Sequence, residues 1–307
     1  MNRRQFLEAT AATVAATACS NFEAAAIPSG TTSKKAEGIL IRFLGTGAAD
    51  WKGRDERGEL RRLSSVLVDN DFLIDFTPTD ADMLPADVHP TTIFYTHSHA
   101  DHFNAGAAIG LGIKQVYLNQ TWYDAAMKDF ETAAKELGKP APTVTPVNIG
   151  TTINVNGIKV TALPANHGTA HTFEQTQLYL LEKNGARVVY ATDTGGIPSL
   201  AARIIGIDAH VKPGNPITGL IMEATMGMDH DIDFRIFTHS SVGLVERTAT
   251  VLTKTKRYTP VDKDQPVYLT HMARTLHGTQ AELDAKLPKC LKAAYDGLEV
   301  LFKFPTA

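Results

Sequence analysis

Read for its alternation of apolar and polar positions, the chain predicts a series of short strands with helices between them. Gly38 to Leu44 is apolar and alternating, a strand that runs into the small-residue turn Gly45-Thr46-Gly47-Ala48-Ala49. Ser64–Val68 and Phe72–Phe76 are apolar runs joined by Asp69-Asn70-Asp71, a hairpin signal. Further strands are predicted over Thr92–Thr96, Thr143–Ile149, Ile158–Leu163, Gln177–Leu181 and Val188–Ala191. Leu220–Ala224 and Val267–Thr270 read as buried strands, and Glu299–Phe304 as a last one. Helical spacing marks Thr121–Leu137, which Gly138 and Pro140 close, and also Pro198–Ile205, Ser241–Thr253 and Gln280–Ala294. No Pro/Gly-rich linker divides residues 37–307, and no sequence repeat is visible. Strands alternating with helices predict an α/β domain with helices packed outside sheets; the pattern leaves open one sheet or two.

The first residues do not fit that pattern. Asn2-Arg3-Arg4-Gln5-Phe6-Leu7 precedes a mild Ala/Thr-rich run from Ala9 to Ala18. A positive start, a weakly apolar run and small residues describe an export signal. The paired arginines before Phe-Leu resemble the twin-arginine type. Ala16-Thr17-Ala18-Cys19 also resembles a weak lipobox, with Ala where Leu is usual, so a lipid anchor at Cys19 stays open. Residues 1–36 are expected to be an export signal and linker, which predicts a periplasmic protein or a membrane-anchored lipoprotein.

Composition narrows the classes. The 307 residues carry 30 Lys and Arg against 33 Asp and Glu, a near balance that argues against a strongly basic nucleic-acid binder. No apolar run reaches the roughly 20 residues of a membrane-spanning helix. Only two cysteines, Cys19 and Cys290, are present, which excludes a disulfide scaffold or a Cys-rich zinc module. The 11 histidines are the informative residues. Three of them, with one carboxylate, crowd into Thr96-His97-Ser98-His99-Ala100-Asp101-His102, directly after a short apolar strand. In an extended piece alternate side chains point the same way, so His97 and His99 can chelate one ion. Asp101 and His102 can face a second. Imidazole and carboxylate together suit zinc and its first-row neighbours.

This His-x-His-x-Asp-His pattern resembles the metallo-β-lactamase superfamily. Three later residues stand in the same position, just past a predicted strand: His167, Asp193 and His271. The resemblance covers essentially all of residues 37–307. It implies a four-layer αβ/βα sandwich with a dinuclear site at the loop ends of two sheets. His97, His99 and His167 would then hold one ion and Asp101, His102 and His271 the other, with Asp193 shared. It further implies two divalent ions, zinc first, with manganese and iron as alternatives. A hydroxide between the ions would be the nucleophile, oriented by Asp101.

Within that superfamily, Leu44-Gly45-Thr46-Gly47 resembles the branch containing ribonuclease Z and the cyclic phosphodiesterase of phosphonate breakdown. That branch implies a role for His239, in Phe237-Thr238-His239-Ser240-Ser241, in binding phosphate or protonating the leaving oxygen. An incidental histidine in a helix-capping Ser/Thr run is the other reading. Where ribonuclease Z has an acidic residue three positions before the bridging aspartate, this chain has Tyr190, and no basic arm for tRNA is evident. A small-molecule phosphodiester is therefore the expected substrate, with no nucleic acid. The alternatives are a β-lactam, lactone or thioester hydrolase and a non-catalytic metal-binding protein. Glu223 is read as either a support for the site or a plain strand-end carboxylate, and the loop holding Met226, Met228, His230 and Asp231 as either a lid or an ordinary loop. His89, His171, His210 and His277 are assigned to the surface or to supporting positions.

Overall fold

The computed structural model describes residues 38–210, 212 and 214–303; the expected export signal at 1–36 lies outside them. The chain first builds β1 (Gly38–Gly45), β2 (Ser65–Val68), β3 (Phe72–Ile74) and β4 (Thr92–Phe94). Next come α1 (Ala105–Leu111), β5 (Gln115–Asn119), α2 (Tyr123–Leu137) and β6 (Thr143–Val147). A second series follows: β7 (Thr152–Val155), β8 (Ile158–Pro164), β9 (Gln177–Lys183), β10 (Ala186–Ala191), α3 (Ser199–Ile205) and β11 (Gly219–Glu223). It ends with α4 (Val242–Lys254), β12 (Val267–Thr270), α5 (Gln280–Lys286), β13 (Leu291–Ala293) and β14 (Glu299–Lys303). Two seven-stranded sheets result. One has the order β14-β1-β2-β3-β4-β5-β6 and the other β13-β12-β11-β10-β9-β8-β7.

Side-chain alternation turns these sheets into layers, because successive strand residues face opposite sides. Ile39, Ile41, Phe43, Val66, Val68, Phe72, Ile74 and Phe94 of the first sheet meet Val160, Tyr179, Leu181, Val188, Tyr190 and Ile221 of the second. The residues between them, such as Leu67, Leu73 and Ile93, turn outward onto Ile109 of α1 and Phe130 of α2. On the far side Leu180, Val189, Leu220, Met222 and Leu269 take the apolar faces of α3, α4 and α5, including Ala201, Val245 and Leu283. The order is helices, sheet, sheet, helices, the expected four-layer αβ/βα sandwich.

Four elements depart from the sequence reading. α1, β5 and β7 are additional. Gln280–Ala294 is not one helix: α5 stops at Lys286, because Leu287 precedes Pro288 and takes an extended conformation. The residues beyond it form β13, which pairs in parallel with β12.

In the first sheet β3 to β6 run parallel, as do β10 to β13 in the second. β8 joins β10 through antiparallel β9, so it points the same way. The C-terminal strand ends gather on one rim, where open α/β sheets place their ligands.

A buried carboxyl in the short 3-10 turn after β3 sets a pH dependence. Asp80 accepts hydrogen bonds from the backbone and hydroxyl of Thr77, but its burial outweighs them and pushes its pKa from 3.8 up to about 7. Between those values the folded protein holds a proton that the unfolded chain has released. This group therefore lowers stability as pH rises from about 4 to about 7, by roughly 4 kcal/mol in all. Asp80→Asn keeps an acceptor oxygen for Thr77. Its unfolding free energy, by urea titration, is expected to lose that part of the pH dependence; an unchanged slope would contradict it.

Candidate metal centre

The strand ends deliver the predicted residues to one place. β4 leads into His97, His99, Asp101 and His102; β8 leads to His167, β10 to Asp193 and β12 to His271. His97 Nε2 lies 3.0 Å from His99 Nδ1, which lies 3.2 Å from His167 Nε2. These three residues form one group of converging donors, and Asp101, His102 and His271 form another. Asp101 Oδ2 is 3.4 Å from His102 Nε2 and 3.3 Å from His271 Nε2. Asp193 lies between the groups. Its Oδ2 is 2.8 Å from His102 Nε2 and 3.2 Å from His271 Nε2, while Oδ1 is 3.9 Å from His167 Nε2.

The backbone bends sharply to present them. Asp193, His271 and Asp75 adopt φ of 48°, 51° and 58°, in the left-handed region that costs a non-glycine residue about 1–3 kcal/mol. Asp and His are among the residues that tolerate it best. Gly195 serves the same end by lacking a side chain, since a Cβ there would collide with the carbonyls of Ile236 and Phe237. That close approach brings Thr238 O within 3.1 Å of His167 Nδ1, which donates to it.

What orients the imidazoles is a pair of fully buried carboxylates, one from each sheet. Asp75, just past β3, accepts 2.8 Å bonds from His102 Nδ1 and from the Thr96 hydroxyl; that hydroxyl in turn accepts from His97 Nδ1 at 3.0 Å. Glu223, at the end of β11, repeats the arrangement. It accepts from His239 Nδ1 at 3.1 Å and from the Thr225 hydroxyl, to which His271 Nδ1 donates at 2.8 Å. With Thr238 O on His167, four of the five cluster imidazoles have their outer nitrogen tied down and Nε2 turned inward. His99 turns Nδ1 inward instead. Asp75 and Thr225 were missed in the sequence. Asp75 does share the strand-end position of the other residues, and that was the available signal.

Charge is concentrated here. Burial pushes the His102 imidazole down, yet Asp193, Asp101 and Asp75 outweigh it and hold it well above its ordinary range. His97 goes the other way, because burial and the neighbouring His102 both disfavour its charged form. Burial opposes ionisation of Asp193, but His271 and His102 keep its pKa well below the carboxylate range. The donor set fits divalent metal: five imidazoles and two carboxylates converge, and four of the imidazoles have the outer nitrogen held by a hydrogen bond that fixes direction.

The remaining predicted residues fall into place around this cluster. His239 sits at its edge, with Nδ1 3.5 Å from Asp193 Oδ1 and Nε2 without a hydrogen-bond partner among the described residues. Burial lowers its pKa, but the hydrogen bond to Glu223 and the charges of Glu223 and Asp193 raise it further, to about 9. His277, assigned to the surface or a supporting position, is buried, and its Nε2 donates to Ala224 O at 2.5 Å. His89, His171 and His210 are exposed. A cleft of about 280 Å³ opens onto the cluster, lined by Asp50, Arg235 and Thr275 as well as by His99, Asp101, His167, Asp193 and His239.

Comparison with known proteins agrees with this architecture. A model of the β-lactamase superfamily domain matches residues 66–272. The crystal structure of a diphosphatase from the PhnP family is 21% identical, covers 87% of this chain and 98% of its own, and superposes with a TM-score of 0.59. The short form of human tRNase Z is 15% identical, with 86% and 100% covered and a TM-score of 0.56. Zinc-bound PqqB from Methylobacterium extorquens is also 15% identical, with 85% and 99% covered and a TM-score of 0.57. No curated protein matches the chain in sequence.

Proposed function

Because the chain belongs to the β-lactamase superfamily and has its metallo-β-lactamase fold, we propose that it is a metal-dependent hydrolase of small phosphodiesters, built around two divalent ions. His97, His99 and His167 would hold one ion and Asp101, His102 and His271 the other, with Asp193 shared between them. Such ions supply Lewis acidity and make water acidic enough to attack near neutral pH. The chain's own residues do the rest. Asp75 and Glu223 hold the imidazoles in place before substrate arrives. Asp101, partly open to the cleft, directs the attacking water. Zinc is the first choice of metal, as the PqqB neighbour carries it; the donor set also accepts manganese and iron.

One observation carries the choice of phosphodiester: Glu223 holds His239 by Nδ1 beside the donor cluster. This leaves Nε2 to give a proton to a departing oxygen. An alkoxide leaving a phosphodiester needs that proton, and a metal has none to give. Proteins sharing the fold include a diphosphatase and a tRNase, which supports phosphorus chemistry. The small cleft and the near-neutral composition favour a small ester over nucleic acid.

The test is a substrate panel of bis-p-nitrophenyl phosphate, a lactone and nitrocefin, with metal measured in protein purified without chelators. Phosphodiester turnover that EDTA removes and zinc restores is expected. Nitrocefin or lactone turnover alone would put the protein among the carbonyl hydrolases; bound metal without turnover would make it a binding protein. In the same assay Asp101→Ala is expected to lower turnover by about 10²-fold or more, through loss of a positioned group. Activity within a few-fold of the native protein would remove Asp101 from the mechanism.

We further propose that the chain is exported through the twin-arginine route to the periplasm. The support is Arg3-Arg4-Gln5-Phe6-Leu7 and the Ala/Thr-rich run after it, with a lipid anchor at Cys19 as the alternative to a free form. Cell fractionation with Arg3→Lys/Arg4→Lys and Cys19→Ala tests both.

A further inference from the structure

Two of the loops that line the cleft, the one that supplies Arg235 and His239 and the one that supplies His167, carry large apolar side chains in solvent. Ile232 is 98% exposed, Phe234 81% and Phe237 79%, and Phe173, on the loop that follows His167, is 89% exposed. Single exposed apolar residues are common, but four large ones on two loops that serve one cleft are not. Nor are they the loose end of a floppy loop. Phe234 and Phe237 occupy a 3-10 turn, Phe234–Phe237, in which side chains three apart stand on one face. Asp233 caps that turn, accepting from Arg235 N at 2.9 Å and pairing with the Arg235 guanidinium at 2.6 Å. Asp231 accepts from Arg247 at 2.9 Å, and His239 N donates to Arg235 O at 2.7 Å. The backbone is fixed to the site while the side chains face solvent.

The same turn points Arg235 into the cleft. At about 280 Å³ the cleft takes an ester head group and little more. Anything larger attached to that head must extend out of the cleft, past loops such as those that carry Phe173, Phe234 and Phe237. We propose that the substrate is an amphiphile, an anionic ester head carrying an extended apolar chain, and that Phe234, Phe237, Ile232 and Phe173 bind the chain. This rests on the hydrolase reading for the head group and extends it to the rest of the molecule.

Calorimetric titration with methyl phosphate and octyl phosphate, the latter below its micelle concentration, reads the rim without turnover. Octyl phosphate is expected to bind roughly tenfold or more tightly, from partial burial of its chain. In a Phe234→Ser/Phe237→Ser variant that ratio is expected to fall towards one, with metal content and melting temperature unchanged. The ratio of kcat/KM for octyl over methyl p-nitrophenyl phosphate is expected to fall in step. Equal binding of the two probes by the native protein overturns the proposal, as does a ratio that survives the double substitution. So does sedimentation showing a dimer that the substitution dissociates, because a second copy would then cover the rim. Chain-length-dependent binding without phosphodiester turnover would overturn only the proposed reaction.

Discussion

Asp193→Ala is expected to cost the protein bound metal and to lower hydrolysis by about three orders of magnitude or more, the several kcal/mol that paired ions contribute. Asp193 is the only carboxylate among the described residues whose two oxygens face different donor groups, Oδ2 towards His102 and His271 and Oδ1 towards His167. Its removal takes away the carboxylate shared by the two groups and leaves Nε2 of His102 and of His271 with the Asp101 carboxylate alone. Metal analysis should show fewer than two ions per chain, and added zinc should not restore the native rate. Two retained ions with a reduced rate would mean that Asp193 acts on substrate instead. Two retained ions with a native rate would deny it any part in the centre. Because Asp193 sits in the left-handed region, relief of strain offsets little of this loss: alanine tolerates that conformation worse than aspartate.

His239→Ala is expected to lower kcat on phosphodiesters with alkyl leaving groups by about 10²- to 10³-fold, the usual range for a positioned general acid. Metal content should hold, since the donor groups are complete without it. The leaving group supplies the sharper reading. Nitrophenolate departs without a proton, so p-nitrophenyl esters should lose far less than alkyl esters. An equal loss on both would mean that His239 binds the phosphoryl group. Loss of metal would make it part of the centre. Glu223→Gln keeps an acceptor for His239 but removes the charge, and should shift the rate in the same direction by less.

Most of the cluster could be read in advance because its members are local or share one position. His97, His99, Asp101 and His102 lie within six residues, and His167, Asp193 and His271 each stand just past an apolar run. A strand end is visible in the pattern, and a parallel sheet gathers strand ends. Asp75 and Glu223 also stand at strand ends, but nothing local pairs a supporting residue with the group it serves. Asp75 meets Thr96 across 21 residues and Thr225 meets His271 across 46, and nothing in either segment marks it as a partner for the other. Secondary structure failed for equally local reasons. α1 is Ala/Gly-rich and lacks a patterned face, although Asn104 caps it. β13 has three residues, too few to show a period, and the helical spacing before Pro288 overran it. The exposed Phe234 and Phe237 were passed over because in sequence they look like core; only their exposure sets them apart.

The pairing of β1 with β14 has a consequence for biosynthesis. Ile39 sits opposite Phe302, so the first strand made waits for the last. Until residue 303 leaves the ribosome, one edge of β1 stays bare, an apolar template for any extended chain nearby. The first sheet cannot be completed until β14 has been made, and its edge needs protection until then. Chains cut short by even the final strand should be recovered as aggregates instead of soluble fragments, however complete their metal-binding residues are.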